Sequence, residues 1–177
     1  MTSGSLNIEV GAFGPEDWRA YRDLRLAALA DAPDAFGSTL ERERALDESD
    51  WRRRLSSGNL AIHALVEGVP AGLAGGLRPG VYDGDPASTA AHLVSMWTHP
   101  SMRGRGVGAA LVARVIEWAR AERFPELRLW VVEGNATAER LYARMGFVDT
   151  GARAPVRPDD PRLEVEMALM LISDGST

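Results

Sequence analysis

Cysteine and lysine are both missing from this sequence, and each absence removes a class of chemistry. Without cysteine there is no disulfide, no thiolate metal site and no cysteine nucleophile. All 20 basic residues are arginine. That excludes a Schiff-base lysine and the lysine of a phosphate-binding Walker loop. It also means that the chain has no lysine of its own to be modified. No stretch approaches the roughly 20 apolar residues of a membrane span, and Met1 to Val10 lacks the basic start and apolar run of a signal peptide. We therefore expect a cytoplasmic protein that does not engage membranes. Positive charge is in deficit as well. With 25 acidic residues the net charge is -5 and the pI is near 5.3, which argues against a nucleic-acid binder and suits a cationic small substrate. The three histidines, His63, His92 and His99, show no ligand spacing, so no metal site is expected.

What the chain does have is glycine in a telling place. Leu93 to Trp97 is an apolar run that reads as a strand, His99-Pro100 stops it, and a helical pattern starts near Val107. Between them lies Arg103-Gly104-Arg105-Gly106-Val107-Gly108. A strand, a glycine turn and a helix form an anion site, because glycines admit a ligand close to the backbone while unpaired N–H groups and the helix dipole face it. Arg103 and Arg105 add bidentate phosphate partners, so a multiply phosphorylated cofactor fits better than a lone carboxylate.

The rest of the chain, 177 residues and 45% apolar, suffices for a single domain spanning 1–177. Leu6 to Val10 alternates as a first strand. Pro15 to Asp31 reads as a helix burying Trp18, Tyr21 and Leu24. Ser38-Thr39-Leu40-Glu41 has capping-box spacing and opens a second helical stretch, interrupted around 47–49 and ending near Ser57. Its Arg52-Arg53-Arg54 run reads as a solvated face. Ala61 to Val66 and Ala71 to Leu77 form a hairpin, and the glycine- and proline-rich stretch from Arg78 to Ala90 reads as a mobile connection or a lid. After the glycine turn come a helix to about Glu122, with Val107, Leu111, Val115 and Ala119 on one face, and an apolar strand, Leu127 to Val132, buried on both faces. A helix capped by Asn135 and ended by Gly146 follows, then two strands near 147–150 and 163–169.

Gly104, Gly106 and Ala109 also satisfy the G-x-G-x-x-G/A dinucleotide fingerprint, with Glu133 at a strand end. Four residues nevertheless separate the strand from the first glycine. Too little chain follows Glu133 for a second nucleotide-binding half. A different likeness covers more residues. Arg103 to Gly108 matches (Gln/Arg)-x-x-Gly-x-(Gly/Ala), and Asn135 to Phe147 matches N-x-x-A-x-x-L-Y-x-x-x-G-F. In this order and spacing the two resemble the signatures of the GNAT superfamily of N-acetyltransferases.

The resemblance implies an α/β (α+β) fold. Its mixed, mostly antiparallel sheet would have six to seven strands, helices on both faces and two splayed parallel central strands, here 93–98 and 127–132. It implies acetyl-CoA as acyl donor, contacted by Met96, Trp97 and Thr98 through the backbone, by Arg103, Gly104, Arg105, Gly106, Val107, Gly108 and Ala109 at the pyrophosphate, and by Asn135. A bulge at Met96 or Trp97 would aim an N–H at the thioester oxygen, a contribution of about 3 kcal/mol. Tyr142 would be the catalytic proton donor to the departing thiolate. The activity implied is direct transfer of acetyl to a primary amine of a small molecule or peptide. The alternative is a non-catalytic acyl-CoA sensor, because the first of these strands carries Ser95 but no carboxylate to serve as base. Water held by Glu133, Glu164 or Glu166 would then take that part. Phe36 and the stretches 78–90 and 151–162 would surround the acceptor. Monomer or homodimer stays open.

Overall fold

The alternating start does form a strand, β1 (Ile8–Ala12), in a computed structural model that describes residues 6–172. It begins later than expected because its pairing with the next strand starts at Ile8 opposite Val66, just beyond the Glu67-Gly68 turn. The first helical stretch opens as a 3-10 turn at Pro15–Asp17 and continues as α1 (Trp18–Asp31). Its buried face is Trp18, Tyr21, Arg25, Ala28 and Leu29. Leu24, expected to be buried, is only half-buried, and its neighbour Arg25 is buried instead. The second stretch is split as foreseen into α2 (Leu40–Arg44) and α3 (Glu48–Leu55). Thr39, not Ser38, caps α2: its hydroxyl accepts from Arg42 N at 3.2 Å. Asp47 caps α3 with a reciprocal Asp50 contact.

The hairpin is β2 (Leu60–Val66) and β3 (Val69–Leu77), followed by β4 (Ala90–Thr98), α4 (Val107–Ala121), β5 (Glu126–Val132), α5 (Ala136–Arg144), β6 (Val148–Pro155) and β7 (Leu163–Met170). These strands make one sheet in the order β1-β2-β3-β4-β5-β7-β6. Every neighbouring pair is antiparallel except β4 and β5. The last hairpin runs longer than expected, since β6 continues through a register shift between Asp149 and Arg153.

Two layers of core hold the sheet. On one face α4 places Val107, Leu111, Val112, Val115 and Ala119 against Ile62, Ala74, Leu93, Leu127 and Leu129. On the other, Ala28 and Leu29 of α1 meet Leu73 and Trp97, while Trp18, Tyr21, Trp51 and Leu55 close the α1–α3 contact. α4 thus covers one side of β5 alone. Leu127, Leu129 and Val131 are buried, whereas Arg128 and Trp130 on the opposite side are half-buried, so the expectation of two buried faces fails. The face left without a helix is where the groove lies. Among the described residues, no helix is long and apolar enough to cross a membrane.

Candidate active site

β4 and β5 run parallel for three residue pairs, Ala90 to His92 against Glu126 to Arg128, and then part. Beyond His92 the edge of β4 facing β5 has no ladder partner, which leaves backbone donors and acceptors that need another partner. The strands diverge toward the glycine turn and α4. A groove opens there, lined by Met96, Trp97, Thr98, Arg103, Gly104, Gly106, Gly108, Ala109, Asn135, Thr137 and Tyr142; it is part of a cavity of about 1390 Å³ that extends past Arg25 to Tyr21 and Leu60.

The turn is shaped by backbone that only glycine adopts readily. Gly106, the residue before α4, has φ +90°, and Gly104 has φ +74°. Gly108 matters for space instead. A Cβ there would lie 3.2 Å from Leu141 Cδ2, 3.3 Å from Met96 Cε and 3.6 Å from Thr98 Oγ1, so the bare backbone lets β4, α4 and α5 converge at the groove.

Of the residues singled out in the sequence, most come together here, but not all by their side chains. Trp97 is buried and its indole Nε1 donates to Asp31 Oδ2 at 2.8 Å, so its side chain is tied to the end of α1. Val107, the first residue of α4, is a core residue and is not among those lining the groove. Arg105 is exposed and does not line it. Arg103 does, but it is already engaged: Nη2 bonds Asp31 at 2.6 Å and Nε donates to Thr98 O at 3.2 Å, which ties the glycine turn to the end of α1. Asn135 caps α5 by accepting from Ala138 N at 3.3 Å. Tyr142 packs edge-on against Phe147 and is 5% exposed. Burial holds its phenol above the usual range, so it stays protonated at any ordinary pH.

The expected bulge is present at Met96, with Ser95 rather than Trp97 as its other residue. Leu73 pairs with Trp97 and Gly75 with Val94, so Ser95 and Met96 together oppose Ala74. Ser95 takes up the extra residue at φ +57°, a strained angle for a residue with a side chain and one that costs about 1–3 kcal/mol. Its hydroxyl accepts from Arg25 Nη1. Arg25 in turn binds Glu43 through Nε and Nη2, both at 2.9 Å, and stacks over Phe36 at 4.8 Å. Arg54 Nη1 lies 3.3 Å from the same carboxylate, so the Arg52–Arg54 run is not wholly a solvated face. The signal for this network was an arginine at a core-facing helix position.

The three carboxylates considered for holding water separate clearly. Glu166 accepts from Thr150 at 2.8 Å and lies 3.4 Å from Arg128. Glu133 is half-exposed beside Arg153. Glu164 lines the groove, and burial pushes its carboxyl up. Phe36, Tyr82 of the 78–90 connection and Val156 of the 151–162 stretch line the same groove. The last of these is strapped to the Pro33–Ala35 turn through Arg157 on Pro33 O at 2.7 Å and Arg162 on Asp34 at 2.7 Å. Tyr82 stacks on the buried His92 at 4.5 Å, a contact the isolated histidine gave no hint of.

A parted pair of parallel strands facing a glycine turn defines a class, and comparison with known proteins gives it a family. Residues 21–147 match the acetyltransferase (GNAT) family, and the chain belongs to it. The family's acyl donor is acetyl-CoA. The chain is 29% identical over 150 residues to the mycothiol acetyltransferase of Acidothermus cellulolyticus, covering 80% of this chain and 45% of that protein. It is 34% identical over 74 residues to the aminoglycoside N(6')-acetyltransferase type 1 of Serratia marcescens, covering 42% of this chain and 51% of that protein. The chain thus spans about half of these relatives' lengths, and a quarter of an uncharacterised N-acetyltransferase of Methanocaldococcus jannaschii. Among solved structures, yncA of Salmonella typhimurium, which contains its cofactor acetyl-CoA, superimposes with a TM-score of 0.73 at 22% identity over 97% of this chain and 98% of that one. At that identity the likeness is one of fold.

Proposed function

We propose that the chain transfers an acetyl group from acetyl-CoA directly to a primary amine of a small molecule or peptide. The observation that carries this reading is the parting of β4 and β5 opposite the glycine turn. It provides an unpaired strand edge for the amides of a pantetheine arm and a positive turn for a pyrophosphate.

The donor supplies an activated acetyl thioester; the chain supplies position and protons. Gly104, Gly106 and Gly108 offer N–H groups at the pyrophosphate, joined by backbone from Val107 and Ala109, by Arg103 inside the groove and by charge from Arg105 on the exposed side of the turn. Met96 to Thr98 present backbone to the arm, and Asn135 closes the far wall. Tyr142 holds a proton at Oη for the sulfur that departs, and Glu164, kept basic by burial, holds the water that takes the proton of the amine. Phe36, Tyr82 and Val156 surround the acceptor. This division of labour favours a working enzyme over a sensor, because a proton donor and a proton acceptor both line the groove.

Two measurements test the reading. Acetyl-CoA and CoA are expected to raise the melting temperature, growing with concentration as RT ln(1 + [L]/Kd), while NAD does not; a panel of primary amines then reports turnover. A shift with NAD alone, or none with CoA, ends the proposal. Neutralising Arg103 and Arg105 together should raise the KM for acetyl-CoA by about 10- to 100-fold, the scale of charge-assisted hydrogen bonds, with less effect on the acceptor. Arg105→Gln isolates the phosphate contribution, since Arg103 also anchors Asp31. Unchanged donor affinity in the double variant would remove the turn from the phosphate site.

A further inference from the structure

The sequence spends a buried ion pair at a place where stability does not call for one. Arg25 is 8% exposed and Glu43 is fully buried. Breaking such a pair is costly, but replacing both partners by apolar side chains is often neutral or stabilising, so its presence asks for a reason in geometry. The guanidinium is held at three places. Its Nε–Nη2 edge clamps Glu43, one plane lies on Phe36, and Nη1 reaches across to Ser95 on β4. Ser95 is the residue held at positive φ in the bulge, where glycine would be the default. Met96, its neighbour in the bulge, lines the groove and touches the space above Gly108. The bulge therefore stands in the groove wall, just past the point where β4 loses β5 as a partner.

We propose that Arg25, oriented by Glu43, is a positioning residue that holds the Ser95–Met96 bulge in its strained shape, so that the backbone there meets the reacting acyl group in one fixed orientation. The role rests on the transferase reading, but the clamp itself can be observed without turnover. Arg25 and Ser95 both lie in the groove wall, and Arg25 acts on the bulge through the Ser95 hydroxyl. Serine rather than glycine suits this arrangement, because the side chain gives the helix layer a handle on the strand.

The test replaces the pair with apolar residues, Arg25→Met with Glu43→Met, which leaves only Arg54, 36% exposed, without its carboxylate partner. Melting within about 5 °C of wild type is expected, since charge removal is balanced by packing. On an amine confirmed with the wild type, kcat should fall about 10- to 100-fold while the KM for acetyl-CoA moves less than about 3-fold, the pattern of a lost preorganised donor. In a Ser95→Gly background the same replacement should cost less than about 3-fold more, because the handle is already gone. Amide exchange at Met96 and Trp97 in the ligand-free protein should speed up by about 10-fold in the paired replacement, but not further in the Ser95→Gly background. Full activity in the paired replacement, an equal loss in both backgrounds, or unchanged exchange at the bulge overturns the proposal. If the wild type binds acetyl-CoA yet acetylates no amine, the transferase reading fails and the exchange measurement alone decides whether Arg25 holds the bulge.

Discussion

Tyr142→Phe should turn over about 10- to 1000-fold more slowly than wild type while binding acetyl-CoA as before, the range expected for loss of a general acid. The argument is one of burial on one side and access on the other. The ring is packed against Phe147 within the core cluster, so phenylalanine keeps the fold. The residue also lines the groove, and its phenol, which burial holds above the usual range, carries its proton at neutral pH. Removing the hydroxyl leaves the departing thiolate without that proton. The deficit should therefore shrink for acyl donors whose thiol is more acidic. Wild-type turnover in the variant, with chemistry shown to limit the rate, would make Tyr142 a packing residue and nothing more.

Glu43→Ala is expected to cost about 3–5 kcal/mol of stability, because it strands the Arg25 guanidinium in the core with its main partner gone. For a chain of this length that is a fall in Tm of about 6–20 °C. The pH dependence gives an independent check. Burial pushes the Glu43 carboxyl up, but the Arg25 hydrogen bonds and the charges of Arg25 and Arg54 outweigh it and leave it below its ordinary value of 4.5. A depressed carboxylate adds stability that is fully present above 4.5 and is lost as pH falls through the folded value. The difference between wild type and Glu43→Gln in urea unfolding should thus be largest at pH 7 and shrink below pH 4.5. A gap that stays constant into acid would mean that this ion pair is not what distinguishes the two.

Much of this protein was legible in its residues because local rules and the fold agree. Glycines at 104 and 106 between a strand and a helix, with Gly108 in the first turn of that helix, mark a tight turn with exposed N–H groups. The face of α4, the cap at Asn135 and the helix stop at Gly146 follow from helical spacing and backbone freedom alone. The hairpin of β2 and β3 and the alternation in β1 are likewise local. Tertiary structure decided what depends on residues far apart in the chain. Arg25 became a buried pivot only because Glu43, 18 positions on, and Ser95, 70 positions on, were brought to it, and no periodicity encodes such a meeting. The half-exposed side of β5 was set by which face α4 covers, and the engagement of Arg103 by Asp31 was set by where α1 ends against the glycine turn. The sequence determines the pieces and their order through short-range backbone and solvation preferences. Which charges are paired, which strand bears strain and which carboxylate faces the groove are settled only when long-range packing removes water from some of them and leaves it to others.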